Sequence, residues 1–92
     1  MTMTPAQVEA QHEYAYARGK DAGYDAANFR NAYGPDEARP DETLQLEGSR
    51  RAREAYSHVA DIGAGLVSTY LIGWGDGVDA WTHDQNDTAE EN

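Results

Sequence analysis

The sequence predicts an all-α fold: an antiparallel helical hairpin of two long helices, a short intervening helix, and a disordered acidic C-terminal tail. Three observations carry this. Small and apolar residues recur every seven positions over two long stretches, a helical period and not the alternation of strands. The prolines (Pro5, Pro35 and Pro40) stand only where a helix would start or stop. A glycine-bearing motif occurs twice, once in each long stretch.

The first helix is expected over about 5–32. Thr4 is placed to cap it, Pro5 suits the first helical position, and Gln7 completes a capping box. Val8, Ala15, Ala22 and Phe29 form one row of its stripe; His12, Gly19, Ala26 and Tyr33 form the other. Tyr33-Gly34-Pro35-Asp36 then stops it, and 34–41 is a connector. Helix resumes near Asp41-Glu42, where acids suit the helix dipole. Gly48-Ser49 reads as a break that re-caps a second long helix, about 49–82, kinked near Ile62-Gly63-Ala64-Gly65. Tyr56, Gly63, Tyr70 and Gly77, interleaved with Val59, Leu66, Gly73 and Ala80, supply its stripe. Residues 1–82 thus form one helical domain and 83–92 the polar tail.

Glycines inside these patterns each cost a helix roughly 1 kcal/mol relative to alanine. Small residues that let two helix backbones approach would explain them; the alternative is that Gly73-Trp74-Gly75-Asp76-Gly77 is a loop. The repeat favours helix packing. Tyr16-x-x-Gly19-x-x-x-Gly23-x-Asp25-Ala26 matches Tyr70-x-x-Gly73-x-x-x-Gly77-x-Asp79-Ala80 at a constant offset of 54. Gly19, Gly23, Gly73 and Gly77 are therefore the expected helix-packing positions, meeting glycine against glycine.

Arg18-Gly19-Lys20-Asp21-Ala22-Gly23 and Tyr70-Leu71-Ile72-Gly73-Trp74 resemble the two motifs of ribosome modulation factor and its phage-borne relatives. In that family a Pro-containing connector joins an Arg-Gly-x-x-Ala-Gly helix to one with a Trp-Leu-x-Gly-Trp core. The resemblance implies a helical hairpin and, as one function, association with ribosomes. This chain departs from the family in carrying Tyr70 for the first Trp, a longer connector, and acidic instead of basic character.

Seventeen Asp and Glu oppose seven Lys and Arg, a net charge of −10. From residue 62 onward Asp76, Asp79, Asp84, Asp87, Glu90 and Glu91 occur with no Lys or Arg. Such a field repels nucleic acid and anionic membrane and attracts basic partners. Solubility, or adaptation to a salty cytoplasm, would give the same bias. The Arg50-Arg51-x-Arg53 cluster reads as a solvated helix face paired with Glu47 and Glu54. The start lacks a basic region followed by an apolar one, and Ile62–Gly75 is shorter than the ~20 residues a bilayer requires, so a cytoplasmic location is expected.

Catalytic chemistry finds little support. The chain has no cysteine, no Gly-x-Ser-x-Gly context, and no Lys-Ser/Thr after its glycines. Glu9-x-x-His12 and Glu54-x-x-x-His58 with Asp61 have metal-ligand spacing, but an antiparallel hairpin would hold the two groups apart. Neither a cofactor nor a metal is expected, and the chain reads as a non-enzyme. What remains is surface recognition, with Tyr14, Asp21, Tyr24, Asp76, Asp79 and Asp84 as the partner-binding residues, since aromatics anchor and charges steer. The expected partner is a protein with a basic surface. The concrete form is a phage or mobile-element inhibitor that occludes the nucleic-acid site of a host protein or a CRISPR or restriction complex. Ribosome association and a ferritin-like metal-binding hairpin are the alternatives. Leu66, Val67, Leu71, Ile72, Trp74, Val78 and Trp81 spread around more than one helix face, which suggests a homodimer.

Overall fold

Two capping residues and one turn fix where the helices lie. In the computed structural model, which describes the backbone of residues 3–91 and the side chains of residues 3–86, the elements are α1 (Pro5–Tyr33), α2 (Leu44–Tyr56) and α3 (Gly63–Glu91). Thr4 caps α1 in the expected capping box: its hydroxyl accepts from the Gln7 amide at 3.2 Å, and the Gln7 side chain accepts from the Thr4 amide at 2.9 Å. Gly34, at φ 80°, ends the helix where a residue with a side chain would be strained, and its amide donates to the Arg30 carbonyl. Thr43 caps α2 by accepting from the Leu46 amide at 3.1 Å, so the helix begins two residues after the acids expected to open it.

The long helix expected over 49–82 is two helices. α2 passes through Gly48-Ser49 without a break and ends at Tyr56. Residues 57–62 form a tight turn in which Asp61 adopts φ 63°, a left-handed conformation that Asp tolerates better than most residues. Gly63 then starts α3 directly beneath the Tyr56 carbonyl, where a Cβ would stand 2.6 Å from the oxygen. Gly73–Gly77 is continuous helix. α3 extends past residue 82 to Glu91; most of the tail expected over 83–92 falls on residues 87–92, whose side chains lie outside the described residues.

Residue numbers rise together along the α1–α3 backbone contact, Gly19 against Tyr70 and Gly23 against Trp74, and the side chains agree: His12 meets Thr69 near one end, Tyr16 meets Asp76 further on, and Tyr24 and Asn28 meet Asp84 and Trp81 towards the other. The two long helices therefore run parallel, not antiparallel. α2 is the return stroke, with Glu47 beside Arg30 at one end and Tyr56 beside Arg18 at the other. A stripe defines which face of a helix is buried but is silent about the sense in which its partner runs. The turn at 57–62, which contains neither Gly nor Pro, sets that sense.

Parallel packing gives the internal repeat its meaning. A Cβ at Gly19 would overlap the Tyr70 carbonyl, and one at Gly73 would overlap the Tyr16 carbonyl. Likewise Gly23 lies against the Trp74 carbonyl and Gly77 against the Lys20 carbonyl. Each of these pairs is converted into the other by adding or subtracting 54, so the repeats are related by a pseudo-two-fold axis along the helices. The four glycines are the surface through which two backbones touch, the same use of small residues that brings helices together in membranes.

The pseudo-symmetry also sorts the faces. Tyr70 and Trp74 turn towards α2; their counterparts, Tyr16 and Lys20, turn to the opposite side. On the α2 side an aromatic row forms, with Tyr56 edge-on to Tyr70 (6.1 Å between centroids) and Tyr70 stacked near Trp74 (6.3 Å). Arg18 lies over Tyr56 and Arg51 over Trp74, at 5.8 and 5.6 Å, close enough for cation–π attraction. Ala15, Ala26, Ala52 and Leu66 complete the buried core. Gly48 is small because the Trp74 indole fills its place: a Cβ there would stand 2.7 Å from the ring. α2 thus takes up most of the apolar spread on α3. Val67, Leu71 and Val78 pack against the core, and Ile72 is left exposed.

Ion pairs hold α2 at its ends. Arg50 pairs with Glu42 at 2.9 Å and Glu54 at 3.3 Å; Glu47 pairs with Arg30 at 3.1 Å and Arg51 at 3.6 Å. The Arg50 guanidinium holds the Glu42 carboxyl below its usual range. Arg50 and Arg51 of the arginine cluster are therefore matched to carboxylates, as the helical spacing predicts.

Candidate recognition surface

The side of the α1–α3 pair that faces away from α2 is polar and laced across its seam. Tyr16 donates its phenol proton to Asp76, and Tyr24 donates to Asp84 at 2.7 Å. His12 Nδ1 lies 2.7 Å from the Thr69 hydroxyl, which itself donates to the Gly65 carbonyl. The Trp81 indole N–H donates to the Asn28 side-chain oxygen at 3.2 Å. The two tyrosine–aspartate pairs are eight residues apart on each helix, and they fix two carboxylates that would otherwise swing freely.

These bonds act on the phenols. The Asp76 carboxylate, accepting the Tyr16 proton, raises that phenol above its ordinary value of 10.0; desolvation and the Asp76 charge add to the effect. Asp84 raises Tyr24 in the same way. A phenol whose folded-state pKa is raised stabilises the fold fully below its unfolded value and loses that contribution as pH rises through the folded value. The melting temperature is therefore expected to fall above pH 10. A Tyr16→Phe/Tyr24→Phe variant should show a shallower alkaline decline when both are followed by circular dichroism from pH 8 to pH 12.

The six residues expected to bind a partner are not gathered in one patch. Asp76 and Asp84 lie on the laced side. Tyr24 belongs to the same seam through its bond to Asp84, so its hydroxyl is spent inside the molecule and not offered outward. Tyr14 is exposed, 62% of its surface accessible, with the Arg18 guanidinium 5.7 Å from its ring. Asp21 lies at the rim of a cleft with Arg18, Asp25, Arg51 and Glu54. Asp79 lines a groove between α2 and α3. In the sequence Tyr16 stands out only as part of the repeat. The signal that places it beside Asp76 is the parallel register, which puts residue 16 close to residue 76.

The C-terminal end of α1 departs from the expected stripe, which puts Phe29 and Tyr33 on the packed face. Phe29 and Tyr33 are exposed and packed together, 4.8 Å between centroids. They border a cleft of 660 Å³ whose walls include Arg30, Arg50 and Glu47. Arg51 lines it too, and all three arginines are paired with carboxylates, so the cleft offers little free positive charge.

His12 lies beside Gly65 and Thr69 near the start of α3, so the parallel register brings the 57–62 turn with His58 and Asp61 to the same end of the molecule as His12, not apart from it as an antiparallel hairpin would. No three His, Asp or Glu side chains among the described residues come together as a metal site. No helix among the described residues is long and apolar enough to cross a membrane.

Comparison with protein-family models, with curated proteins and with solved structures finds no match to this chain.

Proposed function

We propose that the protein is a non-enzymatic binding protein whose laced acidic side occupies a basic site on a protein partner. The observation that carries this reading is the pair of carboxylates, Asp76 and Asp84, held in place by Tyr16 and Tyr24 on a chain of net charge −10. Ordering a side chain before association removes part of the entropy lost on binding. Surrounding acidity steers a cationic partner in and keeps nucleic acid out. A basic site that evolved for a phosphate backbone is the natural complement. The reading is thus an inhibitor, of the kind carried by phage or mobile elements, that blocks a host nucleic-acid-binding protein or a CRISPR or restriction complex inside the host cytoplasm.

The ribosome-modulation reading rests on residues with other duties. Gly19, Gly23, Gly73 and Trp74, which carry that resemblance, lie at the helix crossing and in the core. An acidic surface also opposes rRNA binding.

The test is capture from bacterial lysate by immobilised protein at 50 mM and 500 mM salt, alongside an Asp76→Asn/Asp84→Asn variant. The reading expects a nucleic-acid-binding protein retained at low salt, released at high salt, and lost with the variant. Capture that is indifferent to both salt and variant would remove the electrostatic basis. Ribosomal proteins retained by both forms would instead favour the modulation-type reading.

A further inference from the structure

Most glycines of the helices have a neighbour that forbids a side chain. Gly19, Gly23, Gly48, Gly63, Gly73 and Gly77 each have backbone or ring atoms in the Cβ position. Gly75 does not: nothing lies within 4 Å of where its Cβ would be. It sits in the middle of α3, where glycine weakens a helix, and the fold gives it no packing reason. Glycine in a helix is also used where a ligand must come close to the backbone.

Gly75 lines a groove of 450 Å³ between α2 and α3, together with Leu44, Leu71, Trp74, Val78 and Asp79. The lining is mostly apolar, and the volume lies in the range of small-molecule sites. Trp74 brings the second observation. Only 3% of the residue is accessible, and its indole N–H is buried with no acceptor. Gln45 and Ser49 also line the groove, yet neither bonds to that nitrogen. Buried donors are nearly always satisfied; this one is packed against Gly48 of α2, on a side chain that also lines an apolar groove with a bare stretch of backbone, a set of features that a ligand would complete.

We propose that this groove binds a small, neutral, mostly apolar molecule bearing a carbonyl or ether oxygen. The oxygen accepts the Trp74 N–H after a slight shift of the indole edge, and the apolar body lies over Gly75 between Leu44, Leu71 and Val78. Asp79 at the rim, on a chain of net charge −10, disfavours a carboxylate or phosphate in that position. The site is independent of the acidic side and stands or falls separately from it.

Cyclohexanone is a suitable probe, with methylcyclohexane as the same shape lacking an acceptor. Titration of 15N-labelled protein with cyclohexanone should move the Trp74 indole N–H resonance downfield in a saturable way, together with the Gly75 amide. Methylcyclohexane should leave the indole shift unchanged. Gly75→Leu fills the groove and should weaken cyclohexanone binding at least tenfold; Gln45→Trp, from an exposed position on α2, should do the same if Gly75→Leu fails to fold. The proposal is overturned by the absence of a saturable indole shift, by an equal shift with methylcyclohexane, or by unchanged affinity in a folded groove-filling variant.

Discussion

Gly73→Ala is expected to destabilise the protein by about 3 kcal/mol, although alanine favours helix over glycine by ~1 kcal/mol. The added methyl would overlap the Tyr16 carbonyl. Relief requires the α1 and α3 backbones to separate along the whole crossing, because neither carbonyl can rotate away without losing its helical bond. Overpacking of a tight interior typically costs ~1–3 kcal/mol, and a backbone obstacle belongs at the upper end. Gly19→Ala, the pseudo-two-fold equivalent, should cost a similar amount. Gly75→Ala is the internal control. It lies in the same helix, meets nothing, and should therefore stabilise by up to ~1 kcal/mol. For a chain of this size that is a melting temperature higher by roughly 4–8 °C. Opposite signs two residues apart, read by thermal denaturation, would follow only from the crossing described.

Trp74→Ala should remove ~3–5 kcal/mol, the usual range for a buried tryptophan. Total stability of a 92-residue domain is on the order of 5–14 kcal/mol, so a large part of the population would unfold on modest warming. Trp74 joins three elements: its backbone receives Gly23 of α1, its ring fills the space beside Gly48 of α2, and Arg51 covers its outer face. Trp74→Phe should cost far less than Trp74→Ala. It keeps much of the apolar area while deleting the indole N–H that has no partner, and an unsatisfied buried donor itself costs ~1–3 kcal/mol. Urea denaturation of both variants checks the order. Equal losses would show that the ring's volume is not what holds α2 in place.

Much of this fold was legible because local chemistry determined it. Thr4, Pro5 and Gln7 mark the start of α1, and Gly34 with Pro35 marks its end. The offset of 54 between the repeats pointed to Gly19, Gly23, Gly73 and Gly77 as the crossing, which is where the structure places them. Two things were not legible. Ser57-His58-Val59-Ala60-Asp61-Ile62 contains no Gly or Pro, so an apolar stripe runs through a stretch where the chain reverses. The repeat is also compatible with either sense of packing. Only the reversal before Gly63 makes α1 and α3 parallel. The site was affected by the same gap: Asp76 and Asp84 were recognised as acidic surface, but their tyrosine partners follow from parallel register and could not be seen without it. Without that register Tyr24 reads as a partner-binding residue and not as the partner of Asp84.

The parallel register of the two repeats underlies the glycine crossing, the division into an α2 side and an acidic side, and the tyrosine–aspartate pairs. Side-chain NOEs in the unmodified protein test it most directly. The structure predicts cross-peaks from the His12 ring to the Thr69 methyl and from the Trp81 indole N–H to the Asn28 side chain, at opposite ends of the same contact. Cross-peaks joining Trp81 to residues around His12, with none to Asn28, would mean that the helices pack antiparallel and that the account of both faces is wrong.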